Sequence, residues 1–164
     1  MRKTFALLLI ILLCLPGASS LAEEAGEAEP EAFTCEDYEY ALLDDGTAEI
    51  TKYHGEAEAL EVPGKLDGYA VTAIGDRAFY GCFGLTDVTI PGSVTAIGDG
   101  AFALCYGLTA IAIPDSVTAI GNDAFCYCDS LSEIFVGRDS CAKQYCIDHG
   151  LPYTCTDAND WPNG

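Results

Sequence analysis

Residues 71–93 read VTAIGDRAFYGCFGLTDVTIPGS, and the same pattern returns in residues 94–116 and 117–139. Each 23-residue block opens with Val-Thr-Ala-Ile-Gly and then places Ala-Phe, Cys and Leu at fixed distances from that glycine. Nine positions are identical in all three copies, and two more stay apolar, as Val88 and Ile90 do in the first copy. A fixed period of this length is the signature of a repeat architecture in which each copy contacts its neighbours.

A single block is too small to fold alone. It holds about six large apolar side chains, whose burial stabilises by roughly 1.5–3 kcal/mol each. Ordering its backbone costs roughly 1–2 kcal/mol for every residue. Stacked blocks share hydrogen bonds between strands and a continuous core, so we predict a solenoid in which the Ile, Leu, Phe and Cys columns all point inward.

Each block is expected to contain two short strands and one compact turn. Val88 and Ile90 alternate before Pro91, which stops the strand and turns the chain. Val-Thr-Ala-Ile forms a second extended piece, and the glycine after it permits a tight corner. The next residue is predicted to cap a single helical turn that holds Ala-Phe. That residue is Asp76, Asp99 and Asn122 in the three copies.

The block resembles the unit of the BspA-type leucine-rich repeat, which reads approximately L-x-x-I-x-I-P-x-x-V-x-x-I-G-x-x-A-F-x-x-C-x-x. The match is close over residues 71–139. The resemblance implies a right-handed leucine-rich-repeat coil that is mostly β, with short parallel strands, short helical turns and a cap at each end. It also implies a binding or adhesion role without catalysis, since similar bacterial surface proteins are linked to attachment to host matrix and to other cells.

The segment before the repeats, residues 35–70, is interpreted as an N-terminal cap. Residues 38–43 and 48–53 read as a hairpin with Asp-Gly at its turn. Residues 60–70 lead into the first valine of the repeats and read as a degenerate repeat. A cap of this kind shields the open end of a short solenoid from water.

Residues 140–156 are interpreted as the C-terminal cap. Ser140 to His149 reads as a helix with one apolar face, and Gly150 is its stop signal. Residues 151–155 read as a closing strand.

The chain begins in the manner of an exported protein. Two basic residues precede an apolar run over residues 5–15, and Ser20 and Ala22 suit a cleavage site after residue 22, with cleavage after Ser20 as the alternative. The run is too short to span a bilayer, which takes about 20 residues. Residues 1–22 are therefore predicted to be a signal peptide, and the mature protein is expected to be secreted, extracellular or associated with a cell surface, without membrane insertion.

The mature chain is strongly acidic. Loss of Arg2 and Lys3 with the signal peptide lowers the net charge from −19 to near −21. Residues 23–34 are rich in glutamate and are predicted to be an acidic disordered linker, while residues 157–164 are interpreted as a tail. Such a charge repels phosphate backbones, and no basic patch offsets it. We therefore expect no nucleic-acid partner, and cations or basic protein surfaces are favoured instead.

The eight cysteines after the cleavage site fall into two groups and a single residue. The first group shares the thiol column of the repeats: Cys82, Cys105 and Cys128. Free buried thiols are favoured there, although the spacing is compatible with a disulfide. The second group lies in the last coil and its cap: Cys126, Cys141, Cys146 and Cys155. One or two bridges, or a zinc site, are the alternatives for this group, and Cys35 is expected to be free.

The sequence contains no recognisable catalytic string. No H-E-x-x-H, G-x-S-x-G or P-loop pattern occurs, so we predict no catalytic residue, no cofactor and no metal. Two alternatives are weighed against this reading. One is a nucleophilic Cys141 or Cys146 with His149, and the other is calcium on the Asp76 column.

The expected binding surface lies where the copies differ. In leucine-rich repeats the strand face is the usual binding surface, so we expect a protein or glycan ligand, on a host or neighbouring cell, at nine outward strand positions: Thr86, Asp87, Thr89, Thr109, Ala110, Ala112, Ser132, Glu133 and Phe135. A second candidate is an aromatic patch in the turn between Phe and Leu: Tyr80, Phe83, Tyr106 and Tyr127. The alternative for the strand positions is a solvated sheet without a ligand. The alternative for the aromatic patch is packing between neighbouring coils. An interaction module within a larger assembly is the alternative function.

Overall fold

The computed structural model describes residues 31–156, which form a mostly β solenoid. Its elements in chain order are β1 (Ala32–Cys35), β2 (Tyr38–Leu42), β3 (Ala48–Tyr53), β4 (Ala59–Glu61), β5 (Lys65–Leu66), β6 (Tyr69–Ile74), β7 (Asp87–Thr89), β8 (Ala96–Ile97), β9 (Ala110–Ile113), β10 (Ala119–Ile120), β11 (Glu133–Gly137), α1 (Cys141–His149) and β12 (Thr154–Thr156). The predictions for residues 1–30 and 157–164 lie outside the described residues. Within 31–156, no helix is both long enough and apolar enough to cross a membrane.

The strands form two sheets that run along the solenoid. The first has the order β1-β2-β3-β6-β8-β10, with β5 paired to β6, and the second has the order β12-β11-β9-β7-β4. All pairs in the second sheet are parallel, and Leu60, Val88, Ile111 and Ile134 lie side by side across it. The 23-residue register of the repeats therefore becomes the register of the sheet, and the degenerate repeat predicted before residue 71 is part of it.

An aromatic stack runs through the core from one cap to the other. Ring centroids are 5.3 Å apart for Tyr53 and Phe79, 4.9 Å for Phe79 and Phe102, and 5.6 Å for Phe102 and Phe125. Tyr145 of α1 closes the stack with its ring nearly perpendicular to Phe125. The inward phenylalanine column predicted from the repeat is confirmed, since Phe79 and Phe102 are fully buried.

The thiol column packs beside this stack. The Sγ of Cys105 lies 3.1 Å from the carbonyl oxygen of Phe79, and the Sγ of Cys128 lies 3.1 Å from that of Phe102. Each thiol thus fills space as a small apolar group and donates a weak hydrogen bond to the preceding coil. The eight cysteines of residues 31–156 are free in this structure.

The glycine and the polar residue that follow Val-Thr-Ala-Ile have different roles from those predicted. A Cβ on Gly98 would lie 2.6 Å from the backbone nitrogen of Asp76, so glycine is required by the close approach of the neighbouring coil. The backbone N–H of Asp99 donates to Asp76 Oδ1 at 2.7 Å, and that of Asn122 donates to Asp99 Oδ1 at 2.6 Å. The prediction that these side chains cap their own turn is therefore wrong, because each aspartate accepts from the next coil.

The N-terminal cap contains the predicted hairpin, formed by β2 and β3 in antiparallel register. The linker prediction is wrong at its end, because residues 32–34 belong to β1, which pairs with β2. The physical reason is Phe33, whose ring stacks on Tyr40 with centroids 5.4 Å apart and is thereby partly shielded from water.

The C-terminal cap follows its sequence signals closely. Ser140 accepts a hydrogen bond from the N–H of Lys143 at the start of α1, and Gly150 ends the helix with a φ of 65°. The hydroxyl of Tyr145 accepts from the buried N–H of Ala124, which ties the helix to the last coil. The closing strand is β12, which starts three residues later and ends one residue later than predicted, and it pairs in parallel with β11.

Candidate interaction surface

Part of the predicted strand face holds the coils together. Thr86 Oγ1 donates to the carbonyl oxygen of Glu58 at 2.9 Å, Thr109 Oγ1 to that of Thr86 at 3.0 Å, and Ser132 Oγ to that of Thr109 at 3.3 Å. These three hydroxyls form a ladder between successive coils. Their hydrogen-bonding capacity is therefore already partly used within the chain.

The remaining strand-face positions differ in exposure. Asp87 and Glu133 are exposed, whereas Thr89, Ala110 and Phe135 are half-buried. Ala112 is only 2% exposed, so the prediction that it faces a ligand is wrong. Its methyl group lies in register between Thr89 and Phe135, and these longer side chains on both sides enclose it. The accessible part of the strand face therefore carries two exposed carboxylates.

The predicted aromatic patch, which we call the turn surface, is exposed to solvent. Tyr80, Phe83, Tyr106 and Tyr127 are 43%, 61%, 44% and 65% exposed, respectively. Phe83 and Tyr106 also stack on each other, with ring centroids 5.6 Å apart and ring planes within 7°. Packing between coils therefore explains one face of each of these two rings and leaves the patch open to a partner.

Two cavities flank Tyr80 on this surface. The first, which we call the repeat cavity, has a volume of about 410 Å³ and lies between Tyr80 and Tyr127. Its lining includes the buried Ala103 and the exposed carboxylates of Asp99 and Asp123. Concave sites of this size, with aromatic walls and a few polar groups, are the usual form of a ligand pocket.

The second cavity, which we call the cap cavity, has a volume of about 510 Å³ and lies between the N-terminal cap and the first repeat. Tyr80 and Phe83 line it on the repeat side, and His54 and Glu56 line it on the cap side. The imidazole Nε2 of His54 lies 2.7 Å from Glu39 Oε1 on this side of the cavity.

The cap cavity exists because the coil before the first repeat is shorter there. The N–H of Tyr53 donates to the carbonyl oxygen of Ala78, as the N–H of Phe79 does to that of Ala101, so Tyr53 occupies the position of Phe79. Leu60 occupies the position of Val88 in the next strand. Six residues, 54–59, therefore join two positions that eight residues, 80–87, join in the repeat. The two missing residues leave the space.

The repeat pattern and the coiled sheets match one known family. The BspA type Leucine rich repeat region matches residues 65–146 in six copies. This chain belongs to that family. The match begins at residue 65, within the degenerate repeat of residues 60–70, and the pairing of β4 with β7 places residues 59–61 in the same sheet register.

Solved structures of bacterial leucine-rich repeat proteins resemble the fold of this chain. The Leucine Rich Repeat protein of T. pallidum is 34% identical with a TM-score of 0.59, over 66% of this chain and 55% of that one. A leucine rich cell surface protein of Faecalibacterium prausnitzii A2-165 is 35% identical with a TM-score of 0.60, over 68% of this chain and 34% of that one. A leucine-rich repeat protein of Bacteroides capillosus ATCC 29799 is 28% identical with a TM-score of 0.60, over 80% of this chain and 92% of that one.

The chain thus spans about half of the first of these proteins and about a third of the second. No curated protein matches the sequence. Membership of the BspA-type family supports a protein-interaction module, which is the function that its repeats typically perform.

The thiols of this BspA-type chain differ in their readiness to react. Hydrogen bonding to the Cys105 thiol, assisted by the charges of Lys52 and His54, lowers the pKa of Cys82, although burial opposes this shift. Burial raises the pKa of Cys146 to about 11. A nucleophilic cysteine needs a lowered pKa, so Cys146 lacks the environment that the alternative thiol site requires.

The other candidate chemistries of the sequence find a structural explanation. His149 Nδ1 lies 2.9 Å from the carbonyl oxygen of Tyr145, and its ring stacks on the Tyr145 ring at 4.0 Å. The Asp76 and Asp99 carboxylates accept backbone hydrogen bonds from the next coil, which accounts for their recurrence without calcium. Among residues 31–156, no group of three His, Cys, Asp or Glu side chains is placed to hold a metal ion.

Sequence reasoning identified the turn surface but missed the cap cavity. The signal was present in the spacing, because Tyr53 precedes Leu60 by seven positions whereas Phe79 precedes Val88 by nine. It was not readable without the structure, since nothing in the sequence shows that Tyr53 replaces the repeat phenylalanine.

Proposed function

We propose that this protein is an extracellular binding module that recognises another protein through its turn surface, without catalysis. The observation that carries the proposal is the exposure of four aromatic side chains along one side of three successive coils. Exposed aromatic side chains in contiguous patches are typical of protein contact sites, and tyrosine is enriched among the residues that dominate binding energy.

The charge of the chain indicates the kind of partner. The repeat cavity carries Asp99 and Asp123 between its two tyrosines, and the whole sequence has a net charge of −19. Arg77 also lines this cavity, and its single positive charge offsets only part of the negative charge of the two carboxylates. A basic protein surface complements such a site both by charge and by cation–π contact with tyrosine rings.

The extracellular location is supported by the signal-peptide pattern of residues 1–22 and by the description of one relative as a cell surface protein. A host or neighbouring-cell surface is the setting we favour for the partner. Adhesion then requires only that the partner be fixed to that surface.

The strand face is the second candidate contact. Asp87 and Glu133 are exposed on it at equivalent places of the first and third repeats. Its two carboxylates favour a basic partner surface. Binding to a glycan, or assembly into a larger complex, remains a further use of the same face.

The test uses the mature chain, residues 23–164, immobilised and exposed to extracellular proteins of the cells it meets, followed by affinity measurement with each captured protein. Tyr80→Ala combined with Tyr127→Ala is expected to weaken binding at least tenfold, since exposed hot-spot aromatics contribute about 2 kcal/mol or more at a contact. Tyr153→Ala, at a 38% exposed tyrosine of the C-terminal cap, is the matched control and should bind as the parent does.

Charge reversal at Asp87 and Glu133 separates the two surfaces. If the reversed variant loses binding while the double tyrosine variant retains it, the strand face is the contact and the turn-surface proposal is wrong. Circular dichroism of every variant verifies that the solenoid remains folded.

A further inference from the structure

The cap cavity leaves one face of the Phe83 ring, on the turn surface, without a stacking partner. Phe83 and Tyr106 stack with their planes within 7°, so Tyr106 covers one face of the Phe83 ring. Stacking in this geometry places the opposite face of Phe83 toward the preceding coil. That coil lacks the two residues that would stand there, and the Phe83 side chain lines the resulting cavity.

The buried phenylalanine column of the repeats shows what covers the equivalent ring face in the core. Phe79 has Phe102 on one side and Tyr53 of the preceding coil on the other, at 4.9 Å and 5.3 Å. The exposed column that contains Phe83 and Tyr106, which we call the outer column, has no counterpart of Tyr53, although it lies only four positions further along the repeat. Phe83 therefore remains 61% exposed, with a free face that favours a planar side chain.

The walls of the cavity select among planar groups by charge. Glu56 lines the cavity and Glu58 is exposed on the same loop, whereas Glu39 accompanies His54 on the cap side. The charges of Lys52 and His54, which act on Cys82 in this cavity, offset these carboxylates only in part, so an anionic ligand would still meet an acidic surface. A ligand with basic groups beside its ring gains from both features.

We propose that the cap cavity is the docking site for an aromatic side chain carried on a basic segment of the partner protein, with that ring stacking on the free face of Phe83. The proposal rests on the proposed function and names the chemistry of its partner. The inserted ring completes the outer column in the way that Tyr53 completes the inner one. Tyr80 forms the side wall between this site and the repeat cavity.

The test uses three tripeptide amides with acetylated amino ends: Lys-Trp-Lys, Lys-Leu-Lys and Glu-Trp-Glu. Their binding to the reduced chain, residues 23–164, is followed through the aromatic NMR signals of Phe83, assigned with the Phe83→Leu variant. Protection of Cys82 from alkylation, read by peptide mass spectrometry, is a second signal from the same cavity.

We expect Lys-Trp-Lys to bind with a Kd on the order of 1 mM, about threefold to tenfold tighter than Lys-Leu-Lys. Glu-Trp-Glu should bind more weakly than Lys-Trp-Lys, and added salt should reduce that difference. Phe83→Leu should remove the preference for Trp over Leu while leaving the preference for Lys over Glu. Equal binding of the Trp and Leu peptides to the parent chain would overturn the proposal.

Two glycines offer a matched pair of blocking variants. A Cβ on Gly84, which lines the cap cavity, or on Gly92, which lies outside it, meets no atom within 4 Å. Gly84→Leu should therefore fill the cavity without strain and abolish binding of Lys-Trp-Lys, whereas Gly92→Leu should not change it. Unchanged binding to Gly84→Leu would place the peptide elsewhere and also overturn the proposal.

These outcomes are separable from those of the proposed function. If captured proteins depend on Tyr80 and Tyr127 but the Trp peptide shows no preference for Phe83, only the cap-cavity proposal fails. If the Trp peptide binds at Phe83 but captured proteins ignore the turn surface, only the proposed function fails.

Discussion

Phe102 and Tyr106 belong to the same coil and lie four residues apart, yet they have opposite roles. Phe102 is fully buried between Phe79 and Phe125, whereas Tyr106 is 44% exposed and stacks only on Phe83. The inner column is phenylalanine in all three repeats, while the outer column reads Phe83, Tyr106 and Asp129. Identity between copies therefore accompanies packing, and variation accompanies a surface that is available for recognition.

The largest effect is expected when the Phe102 ring and the Tyr106 ring are removed in separate variants. Phe102→Ala should lower the free energy of unfolding by about 3–5 kcal/mol, because it leaves a cavity in the middle of the aromatic stack. Tyr106→Ala should cost no more than the one exposed contact it makes, about 0.5–1.5 kcal/mol. Urea unfolding followed by circular dichroism measures both. Equal losses would mean that the inner column does not carry the stability we assign to it.

A smaller effect is expected at the glycines of the two regions. Gly98→Ala should destabilise by about 1–3 kcal/mol, because the added Cβ collides with the backbone of Asp76 in the neighbouring coil. Gly84→Ala on the turn surface is the matched control, since its Cβ meets open space. The same urea titration compares them, and a Gly98 variant as stable as the Gly84 variant would contradict the close approach of the coils.

The contribution of the C-terminal end of the inner column can be measured by removing a single hydroxyl group. Tyr145→Phe retains the ring against Phe125 but removes the oxygen that accepts from the N–H of Ala124. We expect a loss of about 0.5–1.5 kcal/mol and faster hydrogen exchange at the Ala124 amide. Tyr153→Phe serves as the control. Unchanged exchange at Ala124 would show that the cap helix does not need this bond.

The smallest effect concerns a carboxylate at the edge of the core. Burial and the charge of Asp76 raise the pKa of Glu49 above its usual value. The folded state thus disfavours ionised Glu49, a cost that is present above the folded pKa and absent below the unfolded value of 4.5. Glu49→Gln should raise Tm slightly at pH 7 and leave it unchanged near pH 3, by differential scanning calorimetry. A lower Tm of the variant than of the parent at pH 7 would contradict the prediction that ionised Glu49 destabilises the folded state.

The two ends of the solenoid show why sequence reasoning succeeds unevenly. The C-terminal helix was predictable because Ser140 and Gly150 are local signals that act within a few residues. At the N-terminal end, β1 escaped prediction because Phe33 is held by Tyr40, a contact between strands that a polar, glutamate-rich flank gives no reason to expect. Ala112 was misplaced for a related reason, since the neighbours that enclose it lie 23 residues away on either side.

The sequence by itself determined the repeat, its inward columns and the family, because a 23-residue period that aligns Ile, Phe, Cys and Leu can bury them only by stacking. It also marked the four aromatic positions that vary or project from the turns. Only the tertiary structure decided that the aspartates bridge coils, that Ala112 is enclosed and that a cavity opens beside Phe83. Each of these depends on which residue of one coil lies against which residue of the next, and that register changes where the coil length changes.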